Sequence, residues 1–142
     1  MGVTETAHAE VIAAPPEACL AALLDFATYP EWQSAVKEAA VVEDGGAPVV
    51  EFRIDAKVKT VRYVLRYHPE PPSRLWWEYV EGDVRSVSGS YELEDLGDGT
   101  TRATYRLAID PGRMVPGPIK RALTEGVMRA SVRELKARVE EP

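Results

Sequence analysis

The amino-acid sequence predicts an α+β domain in which a curved, seven-stranded, mostly antiparallel sheet wraps a long C-terminal helix. Three observations lead there. From Lys37 to Ile109, short stretches of alternating polar and apolar residues follow one another through tight turns, and strands joined in that way run antiparallel. After Gly117-Pro118, apolar residues recur at helical spacing as far as Val139. Ahead of both, one strand is followed by two short helical patterns.

Length and composition fit one domain covering residues 1–142, with 45% apolar and 28% charged residues. This is enough apolar material for a core and argues against disorder. No apolar run approaches the roughly 18 residues of a membrane span, so no integral membrane segment is expected. The N-terminus lacks the order of a signal peptide. The single cysteine, Cys19, has no internal partner, and a reducing, cytoplasmic location is the default. A net charge of −6, with basic residues scattered, disfavours a nucleic-acid partner. Lys57, Lys59, Arg62 and Arg66 share one segment, read as the wet face of a strand. Nothing in the sequence decides between a monomer and a homodimer.

The first strand spans 3–13 and ends at Ala14-Pro15-Pro16, prolines suited to the first turn of a helix. Leu20, Leu23, Leu24 and Ala27 continue that helix. Thr28-Tyr29-Pro30-Glu31 matches a capping box and starts a second helix bearing Trp32. Strands are expected at 37–43, 48–57, 59–68, 74–80, 84–94 and 101–109. Their breaks are Gly45-Gly46-Ala47-Pro48, Pro69-Glu70-Pro71-Pro72, Glu81-Gly82-Asp83 and Gly97-Asp98-Gly99. The final helix runs from Pro118 to Val139, with Ile119, Leu123, Val127, Met128, Val132, Leu135 and Val139 on a broad apolar face.

Alternation separates dry from wet faces. Tyr63 and Tyr67, Trp77 and Tyr79, Tyr91, and Tyr105 all fall on one face, opposite residues such as Arg62, Trp76, Ser90 and Arg106. A buried tyrosine hydroxyl needs a partner, so this many phenols on one face point to a pocket rather than a filled core. The first strand is ambiguous. Apolarity turns Ala7, Ala9, Val11 and Ala13 inward, which leaves His8 and Glu10 exposed; this is the favoured reading. Were Glu10 inward, Arg53 or Arg85 would be its partner.

The segments Ala14-Pro15-Pro16-Glu17, Asp25, Tyr29-Pro30-Glu31-Trp32, Gly89-Ser90-Tyr91-Glu92-Leu93 and Gly99-Thr100-Thr101-Arg102 occur in this order. Together they resemble the START-like superfamily of polyketide cyclases, lipid-transfer domains and plant pollen allergens. They look most like its bacterial cyclase/dehydrase branch, which includes coenzyme Q-binding proteins and a ribosome-association toxin. The resemblance covers about residues 5–139. It implies a helix-grip fold with a cavity between the sheet and the C-terminal helix, and it turns His8, Glu10 and Ile12 inward. Fold alone does not fix function.

The expected partner is therefore a hydrophobic small molecule: a lipid, isoprenoid quinone or polyketide. Candidate ligand-binding residues are Tyr29, Trp32, Arg53, Tyr63, Tyr67, Trp77, Tyr79, Tyr91, Tyr105 and Met128. Access is expected past 44–48 and 110–118. No cofactor or metal is expected, because His8 and Glu10 lack a third ligand at workable spacing. Cys19 has no local histidine and reads as packing. Catalysis is the alternative. Relative to the cyclases, Leu65 and Tyr67 stand where serine and arginine are carried, and Val36 stands where a tyrosine is. These departures favour binding over cyclase/dehydrase activity. An interaction protein like the toxin is a third reading, with Trp76 on the wet face as its only sign.

Overall fold

A computed structural model describes residues 4–55, 59–110, 112 and 127–140. Strand β1 (Thr4–Ile12) leads into helix α1 (Pro16–Leu24), a 3-10 turn (Phe26–Thr28) and helix α2 (Tyr29–Trp32). Six strands follow: β2 (Val36–Glu43), β3 (Val49–Asp55), β4 (Thr60–Glu70), β5 (Arg74–Gly82), β6 (Ser86–Asp95) and β7 (Thr101–Asp110). Helix α3 (Val127–Glu140) closes the described chain. The expected start of this helix at Pro118, with Ile119 and Leu123, lies outside the described residues, as does most of the 110–118 access loop.

The seven strands form one sheet in the order β1-β7-β6-β5-β4-β3-β2, and every neighbouring pair is antiparallel. β2 to β7 make a meander. β1 pairs with β7, which puts β1 and β2 on opposite edges with α1 and α2 spanning between them. Register shifts interrupt the pairing of β2 with β3 and of β4 with β5 between Val64 and Leu65, and such irregularities bend and twist the strands.

The strand faces fall largely as alternation requires, although Val64 and Ser90, expected on the wet face, are buried as well. Val61, Tyr63, Leu65 and Tyr67 are buried on β4, Leu75 and Trp77 on β5, and Ala103, Tyr105, Leu107 and Ile109 on β7. α3 presents Met128, Val132 and Leu135 to this face and exposes Arg129, Arg133 and Arg138. On the outer face, Arg62 pairs with Glu51 and Glu81, Arg102 with Glu94, and Arg106 with Glu92.

Two local expectations change. Thr28 does not act as a capping box: its hydroxyl donates to the Asp25 carbonyl at 2.8 Å, closing the 3-10 turn that precedes α2. On β1, Ile12 is fully buried and His8 and Glu10 are half-buried beside it, whereas Ala7, Ala9 and Val11 face solvent. The exposed reading of His8 and Glu10 is therefore corrected. The Glu10 carboxylate has two partners, His8 Nε2 lying 2.8 Å and Arg133 Nε 3.8 Å from its Oε2. α3, not Arg53 or Arg85, supplies the cation.

Candidate functional site

Register explains why aromatic rings converge. Residues directly opposite in an antiparallel pair share a face, and the pairs are Phe52 with Tyr63, Tyr67 with Trp77, Trp77 with Gly89, and Tyr91 with Tyr105. The Trp77 ring centroid lies 5.4 Å from that of Tyr67, 6.0 Å from Tyr91 and 5.6 Å from Tyr105. Gly89 makes room for it: a Cβ there would stand 2.8 Å from Trp77 Cζ2.

These rings line a cavity between the sheet and the helical layer. Its sheet wall comprises Phe52, Tyr63, Leu65, Tyr67, Leu75, Trp77, Tyr91 and Tyr105, among others. Leu23, Tyr29 and Gln33 from the α1–α2 side and Ser131 from α3 complete the lining described. The cavity has a volume of about 50 Å³ and opens to solvent at its mouth. The interior is thus a small slot with mainly apolar walls.

The polar groups of the slot fall into two sets. Tyr29 donates its hydroxyl to the Leu23 carbonyl at 2.6 Å and so serves the fold. Gln33 and Ser131 satisfy each other, Gln33 Nε2 donating to the Ser131 carbonyl at 3.1 Å and Ser131 Oγ donating to Gln33 Oε1 at 2.8 Å. By contrast, the hydroxyls of Tyr63, Tyr67 and Tyr105 have no hydrogen-bond partner among the described residues. That of Tyr91 is out of reach of solvent and likewise unpartnered. Burial, reinforced at Tyr67, Tyr91 and Tyr105 by the neighbouring phenols, holds all four well above the ordinary tyrosine range. They stay neutral at any physiological pH, as O–H donors in apolar surroundings. No described lining residue is ionisable as an acid or base near neutrality.

Of the residues singled out in the sequence, Tyr29, Tyr63, Tyr67, Trp77, Tyr91 and Tyr105 line the slot. The others are placed elsewhere. Arg53 is on the outer face of β3, exposed and paired with Glu38 at 2.9 Å; strand alternation turns it away because Phe52 and Ile54 face in. Tyr79 lies on the inner side but spends its hydroxyl on the Val84 carbonyl at 2.6 Å, at the sheet end. Trp32 packs edge-on against Tyr29 and donates Nε1 to Thr28 Oγ1 at 3.2 Å. Met128 is buried under β1, its sulfur accepting from Thr6 Oγ1 at 3.2 Å.

Gln33 and Ser131 escaped the sequence reading. Their signals were local: Gln33 follows Tyr29-Pro30-Glu31-Trp32 directly, and Ser131 is a polar residue within the apolar face of α3, four residues before Leu135. Elsewhere, Cys19 is fully buried, and burial pushes its thiol up. Among the described residues no group of three or more His, Cys, Asp or Glu could hold a metal ion, and no helix is long and apolar enough to cross a membrane.

Sequence and fold match a known family. Residues 3–140 match the model of the family described as "Polyketide cyclase / dehydrase and lipid transport", and the chain belongs to that family. Among solved structures, it is similar to the Zhui aromatase/cyclase from Streptomyces sp. R1128, at 17% identity and a TM-score of 0.87, covering 97% of this chain and 94% of that one. It is also similar to a START superfamily protein from Mycobacterium smegmatis, at 18% identity and a TM-score of 0.84, covering 96% and 97%. A protein from Thermus thermophilus stands at 22% identity and a TM-score of 0.83, covering 96% and 97%. At these identities the likeness establishes the fold. A search of curated proteins gave no significant match.

Proposed function

We propose that the chain binds a neutral, hydrophobic small molecule carrying acceptor oxygens, in the slot between the sheet and α3. The observation that carries this is the unpartnered hydroxyl set of Tyr63, Tyr67, Tyr91 and Tyr105 on an otherwise apolar wall. The Tyr91 hydroxyl is a buried donor without an acceptor, unfavourable by about 1–3 kcal/mol, and a bound molecule explains it and the three phenols beside it better than core packing does. Apolar burial would supply most of the affinity at roughly 25 cal/mol per Å², and the phenols would orient it. The absence of a charge among the described lining residues favours a carbonyl compound over a carboxylate.

The test compares 1-tetralone with tetralin, which has the same bicyclic frame without the ketone. Calorimetric titration should show 1-tetralone binding about tenfold more tightly, the worth of one good hydrogen bond to a buried donor. Failure of both compounds to bind, or equal binding, would sink the reading. An aromatase/cyclase role is the second reading. Its support is that neutral O–H donors beside a ligand carbonyl stabilise the charge developing on an enolate oxygen, the α-proton passing to water because no described lining residue is a base near neutrality. Consumption of a linear poly-β-ketone analogue by the pure protein, abolished in Tyr67→Phe, would favour it over simple binding.

A further inference from the structure

The helical side of the slot carries a second polar feature, chemically unlike the phenols. Gln33 stands at the end of α2 and Ser131 on α3, both more than nine-tenths buried, and both line the slot. The Ser131 carbonyl can only accept, so the nitrogen of the Gln33 amide must face it, and the oxygen is left to accept from Ser131 Oγ. This reciprocal pairing fixes the orientation of the amide. It uses one of two amide hydrogens, one of two lone pairs on Oε1, and the single hydrogen of Ser131. What remains is one N–H donor beside free lone pairs on Gln33 Oε1 and Ser131 Oγ, with no further hydrogen bond among the described residues.

We propose that Gln33 and Ser131 form the specificity-determining pair of the slot and bind a hydroxyl group of the ligand. This rests on the binding function proposed above. The argument is one of matching valence. Each phenol on the sheet wall is a hydrogen donor lacking an acceptor, and a ketone oxygen satisfies it. The Gln33–Ser131 pair presents a donor and acceptors side by side, and the smallest neutral group that answers both is a hydroxyl. The two sets sit on facing layers, the phenols on β4, β6 and β7 and the pair on α2 and α3. A ligand bridging them carries a carbonyl toward the sheet and a hydroxyl toward the helices. A purely hydrocarbon or acyl chain would leave the pair's remaining valences buried and unanswered.

The pair is also pre-organised for this task. Ser34 N donates to Glu134 Oε1 at 3.0 Å, next to Gln33 and one turn along α3 from Ser131. This contact reduces the ordering that binding has to impose.

The experiment titrates the unmodified protein with 1-tetralone and with hydroxy-1-tetralones bearing the hydroxyl at carbon 5, 6 or 7. At least one hydroxylated isomer is expected to bind about tenfold tighter than the parent ketone. Its methyl ether, which keeps the oxygen but loses the donor, should fall back to the parent's affinity or below. The ratio of hydroxylated to parent affinity should approach one in Gln33→Met and in Ser131→Ala, and should persist in His68→Ala, a change on the outer face. If 1-tetralone itself does not bind, the binding function fails. If it binds and no isomer gains, or the gain survives both Gln33→Met and Ser131→Ala, the role of the pair is overturned while the slot stands. Should the two variants fail to fold, the hydroxyl and methyl-ether comparison on the unmodified protein decides alone.

Discussion

Tyr91 and Tyr29 are both buried phenols, and they differ in one respect that can be measured. Tyr29 gives its hydroxyl to the Leu23 carbonyl, whereas Tyr91 has no partner among the described residues. Tyr29→Phe is expected to destabilise by about 1 kcal/mol, the net worth of a buried hydrogen bond. Tyr91→Phe removes an unsatisfied donor, so ligand-free protein should be unchanged or stabilised by up to about 1 kcal/mol. Urea unfolding of both variants checks this; a loss above about 1 kcal/mol at Tyr91 would mean that its hydroxyl is satisfied. The adjacent tryptophans give a second contrast. Trp77 packs on three tyrosine rings and is 4% exposed. Trp77→Ala should cost about 3 kcal/mol, at the low end for large aromatic deletions because one face borders the slot. Trp76 stacks on His68 at 4.0 Å and donates to Glu70 at the surface, so Trp76→Ala should cost below about 1 kcal/mol and leave 1-tetralone binding intact. Equal losses in guanidinium melts would contradict the assigned faces.

Helix α3 is held at its end by polar contacts as well as by its apolar face. Glu140 accepts from the Ala13 backbone N–H at 2.7 Å and from Lys136 Nζ at 2.6 Å, while Lys136 also donates to the Val11 carbonyl at 2.9 Å. These contacts tie the last turn to the exit of β1. The Lys136 ammonium and the Ala13 amide hold the Glu140 carboxyl below its ordinary value of 4.5. A carboxylate with a depressed folded-state pKa stabilises the fold above its unfolded value and loses that contribution as pH falls through the folded one. Glu140→Gln should therefore cost about 1 kcal/mol at pH 7, modest because the site is partly wet. The difference from the unmodified chain should shrink below about pH 4.5 and vanish in stronger acid. Thermal melts from pH 3 to 7 read this directly, and a difference constant across that range would refute the contact's role.

For the molecule as a whole, binding in the slot spans the sheet, α1, α2 and α3, so a ligand selective for the folded state stabilises all of them together. At a free concentration of one hundred times Kd the gain is about 2.7 kcal/mol. A single cooperative melt shifting upward with 1-tetralone concentration is the expected outcome. A shift confined to part of the transition would mean that the slot's walls unfold separately.

The succession of strands, the two short helices and the inward set Tyr63, Tyr67, Trp77, Tyr91 and Tyr105 could all be read from the chain, because period and turn chemistry are local properties. That local information also named the correct tryptophan, since a strand's two faces are fixed once its register is. β1 misled for the same reason. It is an edge strand of alternating small and polar residues, so its own pattern favoured burying alanine, while packing against α3 supplied Arg133 to neutralise Glu10 inside. Arg53 was placed by a charge argument, yet Phe52 and Ile54 beside it own the dry face of β3. Which hydroxyls remain unanswered, and that Gln33 meets Ser131 across 98 positions of sequence, follows from how the helices close over the sheet. Such contacts are set by three-dimensional packing between distant segments, and no periodicity within either segment encodes them.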